Sequence, residues 1–89
     1  FHTPKNLAMA LMVEAAELTE IFQWMTPEQS RAVRDDPALR EPIADEVADV
    51  LLYLLQLADH AGVDVAAAVE NKLRKNALKY PVPGAEAGI

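Results

Sequence analysis

The sequence predicts an all-α fold, an antiparallel helical bundle completed by oligomerisation, on the basis of three observations. Apolar residues make up 52% of the 89-residue chain, and only three residues are glycine. Long runs rich in alanine and leucine carry their apolar residues at the helical period. A chain this short builds only a modest core, so we expect a homodimer or homotetramer to cover the remaining apolar surface.

The first long helix begins at Thr3 and Pro4. The threonine hydroxyl can cap a helix, and proline suits the first helical position. Helical periodicity continues from there to about Met25. The chain opens at Phe1 without an initiator methionine, so we expect that upstream sequence, and with it one helix of the bundle, is missing.

A short connecting helix follows the first long one. Thr26 and Pro27 repeat the pattern of cap and proline, and Gln29 stands at the third position of a capping box. We expect this helix to run to about Arg34, because the Asp35-Asp36-Pro37 segment breaks the helical pattern.

The second long helix begins between Pro37 and Pro42 and ends at Gly62. Its stretch from Val47 to Ala58 is apolar nearly all round. A helix of this kind packs against more than one neighbour, and we expect one of those neighbours to belong to another subunit.

A third long helix is capped by Asp64 and runs from Val65 to about Lys79. A segment containing two prolines and a glycine ends it and starts a tail, residues 82–89, that we expect to be flexible. The helical domain is therefore predicted to occupy residues 1–81.

Composition excludes several classes of function. The net charge of −6 argues against polymeric nucleic acid as a partner, because there is no basic stripe to replace counterions. With no cysteine, neither disulfides nor thiolate metal sites can form, and the chain fits a reducing cytoplasm. No signal peptide is apparent, and the longest apolar run, Val50 to Leu55, is too short to cross a membrane. We expect a cytoplasmic protein.

Two acidic pairs lie inside apolar helical stripes. Glu14 and Glu17 share one face of the first long helix, and Glu46 and Asp49 share one face of the second. Burying unpaired carboxylates costs several kcal/mol, so this arrangement predicts either cation binding or strong pairing with lysine and arginine. Other acids point away from these stripes and are interpreted as surface charges: Glu20, Asp45 and Asp59.

The side chains available favour a hard cation. Four carboxylates without cysteine or a nearby histidine suit Mg²⁺, or Mn²⁺ as a substitute, and disfavour Zn²⁺. A di-iron bundle needs Glu-x-x-His on two helices, and this sequence contains none. Magnesium commonly shares phosphate oxygens with a substrate, so the pattern indicates phosphate chemistry. The alternative, salt-bridged or solvated acids, is the usual fate of a single such pair.

Basic and aromatic residues supply further candidates. Lys72, Asn76 and Lys79 share one face of the third long helix, which suits a polyphosphate tail or, alternatively, simple stabilisation of the helix C-terminus. Phe22 and Trp24 lie on different sides of the first long helix, so packing leaves one of them outside the core. Such an aromatic can stack on a base or pack in a dimer interface.

The order of these motifs resembles a known family. The sequence Glu14-Ala-Ala-Glu17 is followed after 28 residues by Glu46-Val-Ala-Asp49, and then by Asn71-Lys72-Leu73 and Lys79-Tyr80-Pro81. This order is similar to the all-α nucleoside triphosphate pyrophosphohydrolases of MazG type, most closely their dCTP pyrophosphatase-like branch. The strings FHTPKNLA, EAAELTEIFQW and DEVADVLLYLLQLA carry the likeness.

The resemblance implies hydrolysis of a nucleoside triphosphate between the α and β phosphates. The product pair would be a monophosphate and pyrophosphate, and the substrate a pyrimidine deoxynucleotide such as dCTP or a modified relative, in a role of nucleotide-pool cleansing. By position, Glu14, Glu17, Glu46 and Asp49 would hold Mg²⁺. Glu14 or Glu17 would also be the general base.

The same resemblance implies the remaining site residues. His2 and Trp24 would frame the base. Phosphate contacts would come from the end of the third long helix: Lys72, Asn76, Tyr80 and Lys79, with Lys75 as a further helper. The broader family pattern has glutamate where this chain has Val13, which leaves the number of metal ions open. The family also has an N-terminal helix, carrying an aromatic of the base pocket, that the given chain does not include.

A function of a different class remains open. The chain could be a non-catalytic acidic helical module that dimerises through the second long helix, with its carboxylates paired to lysines of another subunit. Mg²⁺ distinguishes the two hypotheses, because a metal site gains thermal stability from the bound ion, whereas a salt-bridged module responds only to ionic strength.

Overall fold

The computed structural model describes residues 2–79, which form four α-helices and one 3₁₀ helix. They are α1 (Pro4–Phe22), α2 (Pro27–Ala32), the 3₁₀ helix (Val33–Asp35), α3 (Pro37–His60) and α4 (Val65–Lys79). No strand occurs among the described residues, which confirms the all-α prediction. The predicted tail at residues 82–89 and the candidate Tyr80 lie outside the described residues.

The helix starts follow the capping residues seen in the sequence. The Thr3 hydroxyl accepts a hydrogen bond from the Asn6 amide at 3.2 Å, and Thr26 forms the predicted reciprocal capping box with Gln29. Asp36 and Asp64 cap α3 and α4. Their carboxylate oxygens accept hydrogen bonds from the backbone amides of Ala38 and Ala67, each at 3.0 Å. Side-chain caps of this kind satisfy amides that have no partner within the helix.

Three helices end earlier than the sequence predicts, and one of them is α3, which ends at His60 rather than at Gly62. α1 stops at Phe22 rather than near Met25, where the Met25 amide closes a turn onto the Phe22 carbonyl at 2.9 Å. The cause is Thr26, which must be extended to cap the next helix and precede Pro27. α2 likewise ends at Ala32, and the chain continues to Asp35 as a 3₁₀ helix.

α1 and α3 pack antiparallel and form the core of the structure. His2, just before α1, lies near His60 at the end of α3, whereas Ile21 near the end of α1 faces Pro42 near the start of α3. Few residues are fully enclosed by this packing. Among the described residues only Leu7 and Ala58 are buried, with exposed fractions of 3% and 9%.

α4 projects from this pair of helices. Its axis makes an angle of 97° with that of α3, and none of its residues is buried. Within residues 2–79 no single helix is long and apolar enough to cross a membrane. Only α3 and α4 taken together, across their bend, reach that length and composition.

Candidate metal centre

Three carboxylates from two helices converge at the middle of the α1–α3 pair. Glu14 and Glu17 project from one face of α1, one turn apart, and Glu46 projects from α3. One oxygen of each side chain lies within 4.8 Å of an oxygen of the other two. Glu14 and Glu46 are half-buried, and Glu17 is exposed. The structure therefore confirms the predicted meeting of the two acidic motifs.

Two oxygen atoms in this cluster have no partner. Oε2 of Glu14 and Oε2 of Glu46 are shielded from solvent and have no hydrogen-bond partner among the described residues. Burial raises the pKa of Glu14 above the ordinary value of 4.5, and the nearby Glu46 and Asp49 raise it further, although a hydrogen bond with Glu17 partly offsets these effects. Glu14 in turn raises the pKa of Glu17. Protons or a bound cation would therefore stabilise the cluster by neutralising its negative charge.

The described basic side chains do not account for this cluster. The neighbouring charges that act on Glu14 and Glu17 are those of other acids. The ion pairs found in the described part of the chain join Glu28 to Arg31 and Glu70 to Arg74, away from the cluster. Oxygen ligands alone, with two of their atoms shielded and unpaired, fit a hard divalent cation.

Asp49 occupies a different position from the other three predicted ligands. It is half-buried on α3, one turn after Glu46, and its charge raises the pKa of Glu14. Its oxygens are not part of the cluster in which all ligand atoms lie within 4.8 Å of one another. The structure thus brings three of the four predicted ligands together and leaves Asp49 beside them.

Two acids that the sequence pattern assigns to the surface border this site. Glu20 and Asp45 line an open depression of about 460 Å³ together with Glu17 and Glu46. Both are exposed, as expected, and the charge of Glu20 contributes to the raised pKa of Glu17. The sequence could have indicated that Glu20 borders the site, because Glu20 follows Glu17 by one helical turn.

A second cavity lies between α1 and α3, on the side of the cluster toward His2. Its volume is about 180 Å³, and its lining residues are His2, Asn6, Leu7, Ala10 and Tyr53. Ala10 precedes Glu14 by one turn, and Tyr53 follows Asp49 by one turn, so this cavity adjoins the carboxylates. Sequence reasoning missed Tyr53 as a residue of the site, although its place one turn after Asp49 was a usable signal.

The two residues predicted to frame a base lie far apart. His2 precedes α1 and Trp24 follows it, and the 19-residue helix between them is about 28 Å long. Trp24 is 88% exposed, which confirms that one of the two aromatic residues at this end lies outside the core. A straight helix cannot bring its two ends to one base, so these residues do not share a site within one copy of the chain.

The predicted phosphate-binding residues lie on α4. Lys72 and Lys79 are exposed, and Asn76 is half-buried. In the described part of the chain α4 packs only lightly against the other helices. Helix packing therefore does not hold these side chains beside the carboxylates, unlike Glu14 and Glu46, which the α1–α3 contact places face to face.

Comparison with known proteins agrees with this architecture. The model of the MazG-like family matches residues 9–87. The chain is 40% identical over 82 residues to dCTP pyrophosphatase 1 of Rattus norvegicus, covering 92% of this chain and 48% of that protein. It is 41% identical over 81 residues to dCTP pyrophosphatase 1 of Homo sapiens, covering 91% of this chain and 48% of that one. The chain thus spans about half the length of these curated relatives.

A solved structure shows the same fold. A pyrophosphatase from Archaeoglobus fulgidus DSM 4304 superposes with a TM-score of 0.83 at 44% sequence identity, covering 91% of this chain and 74% of that one. At this identity and TM-score the two proteins share the same helical fold. Together with the match of the family model over most of the sequence, this likeness shows that the chain belongs to the MazG-like family.

Proposed function

We propose that this protein hydrolyses nucleoside triphosphates to nucleoside monophosphates and pyrophosphate, with Mg²⁺ as its cofactor. The observation that carries the proposal is the pair of shielded carboxylate oxygens without partners, Glu14 Oε2 and Glu46 Oε2, inside a three-carboxylate cluster. Relatives named dCTP pyrophosphatase 1 and pyrophosphatase support the type of reaction. A non-catalytic module has no need to keep such a costly arrangement.

The metal would be held by Glu14, Glu17 and Glu46, with Asp49 completing the set, and Mn²⁺ would be a substitute for Mg²⁺. When bound, the cation would neutralise phosphate charge and lower the pKa of a water ligand. The chain's own contribution is to bring carboxylates from two helices within 4.8 Å of one another, where they would surround a single cation.

We propose Glu17 as the general base, with Glu14 of the same cluster as the alternative. The side chain of Glu17 is exposed, so it can reach a water that enters from solvent, whereas Glu14 directs one oxygen into the interior.

The substrate would lie along the space between α1 and α3. Its base would enter the cavity lined by His2 and Tyr53, and its phosphates would extend toward the carboxylates one turn away. A single-ring base, as in dCTP or a modified pyrimidine deoxynucleotide, suits a cavity of about 180 Å³. The phosphate tail would be contacted from α4 and the residue after it, by Lys72, Asn76, Lys79 and Tyr80.

Trp24 would complete the base site of another copy. The length of α1 separates it from His2 of the same copy by about 28 Å, and its ring is almost fully exposed. We therefore propose that the active form is a homodimer or homotetramer. Such an enzyme would act in the cytoplasm and remove unwanted nucleotides from the pool.

The test is a panel of nucleoside and deoxynucleoside triphosphates assayed for pyrophosphate release with Mg²⁺. We expect activity on pyrimidine deoxynucleotides, and we expect Glu46→Gln to abolish it while circular dichroism shows intact helices. Glu41→Gln removes an exposed carboxylate from the same helix and should keep wild-type turnover. Wild-type turnover by Glu46→Gln, or release of orthophosphate with a diphosphate, would contradict the proposal.

A further inference from the structure

The two histidines of the sequence lie next to each other at one end of the α1–α3 pair. His2 precedes α1, and His60 is the last residue of α3. Their ring centroids are 6.5 Å apart, and the ring planes are tilted by 34°. Both side chains are exposed, so ions in solution can reach them. Neither the carboxylate cluster nor the order of the family motifs gives His60 a role.

The His60 ring is oriented to bind a metal ion through Nε2. Its Nδ1 lies 2.9 Å from the carbonyl oxygen of Gln56, one turn earlier on α3. A carbonyl oxygen can only accept a hydrogen bond, so Nδ1 carries the proton and Nε2 of the neutral ring keeps its lone pair. Histidines that bind metal ions commonly donate their other ring N–H to a carbonyl or carboxylate, which fixes the tautomer and the orientation of the ring.

The spacing of the two rings is close to that of two imidazoles on one ion. A Zn–N bond of about 2.0 Å puts each ring centroid about 3.2 Å from the metal, so two imidazoles at a tetrahedral angle have centroids about 5.2 Å apart. The rings of His2 and His60 must therefore approach by about 1.3 Å from their separation of 6.5 Å. His2 lies outside the helices and is exposed, so rotation about its side-chain bonds supplies this movement without disturbing the core.

We propose that His2 and His60 together bind a divalent transition-metal ion such as Zn²⁺, with water in its remaining positions. Imidazole nitrogens favour Zn²⁺, Cu²⁺ and Ni²⁺, whereas carboxylate oxygens favour Mg²⁺ and Mn²⁺. Glu46 precedes His60 by about four turns of α3, so this site lies about 20 Å along the helix from the carboxylate cluster. The inference does not depend on the proposed function.

A bound ion would tie the segment before α1 to the end of α3. These two ligands are remote in sequence, so they meet only when the two helices have packed against each other. Zn²⁺ therefore binds the folded chain more tightly than the unfolded chain, and it raises the stability of the fold by mass action.

The experiment measures the Kd of Zn²⁺ in a Glu14→Gln/Glu46→Gln background, so that the carboxylate cluster does not compete for the ion. Calorimetric titration in a phosphate-free buffer containing Mg²⁺ gives the Kd, and Tm with and without Zn²⁺ gives the stabilisation. Four proteins form a cycle: the background itself, and the background with His2→Ala, with His60→Ala and with both. We expect either single substitution to weaken Zn²⁺ binding about tenfold or more, because the second imidazole no longer binds intramolecularly, and to abolish the rise in Tm.

The cycle separates one shared ion from two independent histidines. With a shared ion, the second substitution adds little to the loss caused by the first, whereas losses that add would show separate sites and overturn the proposal. If His2 alone held the ion, His60→Ala would keep the background Kd, and that result would overturn it as well. Asp59→Asn is the matched control, since it removes the exposed carboxylate next to His60 and should leave the Kd unchanged. Circular dichroism without Zn²⁺ checks that all variants are folded.

Discussion

At the scale of single residues, the carboxylate cluster suits the binding of a cation but lowers the stability of the metal-free fold. Glu14 and Glu46 each direct an oxygen into a place where the described residues offer no partner. For folding alone, an apolar residue at either position would be less costly. The cluster is favourable only when positive charge joins it, so the stability of the protein should depend on protons and divalent cations.

This dependence gives a prediction for pH. Folded-state pKa values of Glu14 and Glu17 lie above the ordinary 4.5, so over the range above 4.5 the folded state binds more protons than the unfolded state. Stability must then fall as pH rises through that range. In EDTA, Tm should therefore be higher at about pH 5.5 than at about pH 7.5, as followed by circular dichroism.

Mg²⁺ should reverse this trend, because cation binding requires the deprotonated carboxylates and is strongest at the higher pH. The double variant Glu14→Gln/Glu46→Gln should lose both the pH slope and the response to Mg²⁺. Glu41→Gln on the same helix as Glu46 should retain both. If the Tm of the wild-type protein at neutral pH does not change with Mg²⁺, the hypothesis of a non-catalytic module is favoured instead.

At the scale of helices, the boundaries are set by local chemistry. Thr3, Thr26, Asp36 and Asp64 cap the four α-helices. The sequence predicts the caps at Thr3, Thr26 and Asp64, whereas for α3 it predicts only a range, at the first residue of which, Pro37, the helix begins. Helix ends were harder to predict, since periodicity continued past Phe22 while the next cap forced the chain to turn. The spacing of apolar residues does not show where the cap of a following helix ends the helix before it.

Gly62 provides a test at this scale. It lies between α3 and α4 with φ of +71°, and a Cβ atom there would meet nothing within 4 Å. Gly62→Ala should therefore lower the free energy of unfolding by about 1 kcal/mol through backbone conformation alone. Gly62→Asn should cost less, because asparagine tolerates the left-handed region. Urea denaturation measures both, and equal stability of Gly62→Ala and wild type would contradict the assignment.

At the scale of the whole molecule, the chain leaves much apolar surface uncovered. Large apolar side chains of α3 remain about half exposed, among them Val47, Leu51, Leu52 and Leu55. Exposed apolar patches of this kind are typical of interaction surfaces. They give structural support to the proposed homo-oligomer, in which Trp24 would also reach a second copy.

Leu55→Glu tests the oligomer directly. Leu55 is 42% exposed in the single chain, so a charge at this position is tolerated in a monomer but is strongly unfavourable inside an apolar interface. Sedimentation velocity should show a shift from oligomer to monomer, with loss of activity if the base site is shared. Gln56→Glu adds the same charge next to it and should leave the oligomer intact. A wild-type protein that is monomeric would refute this prediction.

The sequence alone determined the helices, their capped starts and the meeting of Glu14 with Glu46, because helical phase and apolar stripes are local properties of the chain. It also indicated the family, through the order of the acidic and basic motifs. Only the tertiary structure decided that three rather than four acids share one cluster, and that Glu20 and Asp45 border it. It also decided which residues line the cavity, and that His2 lies beside His60. These features depend on how far one helix slides along another, and that distance is fixed by packing between residues remote in sequence.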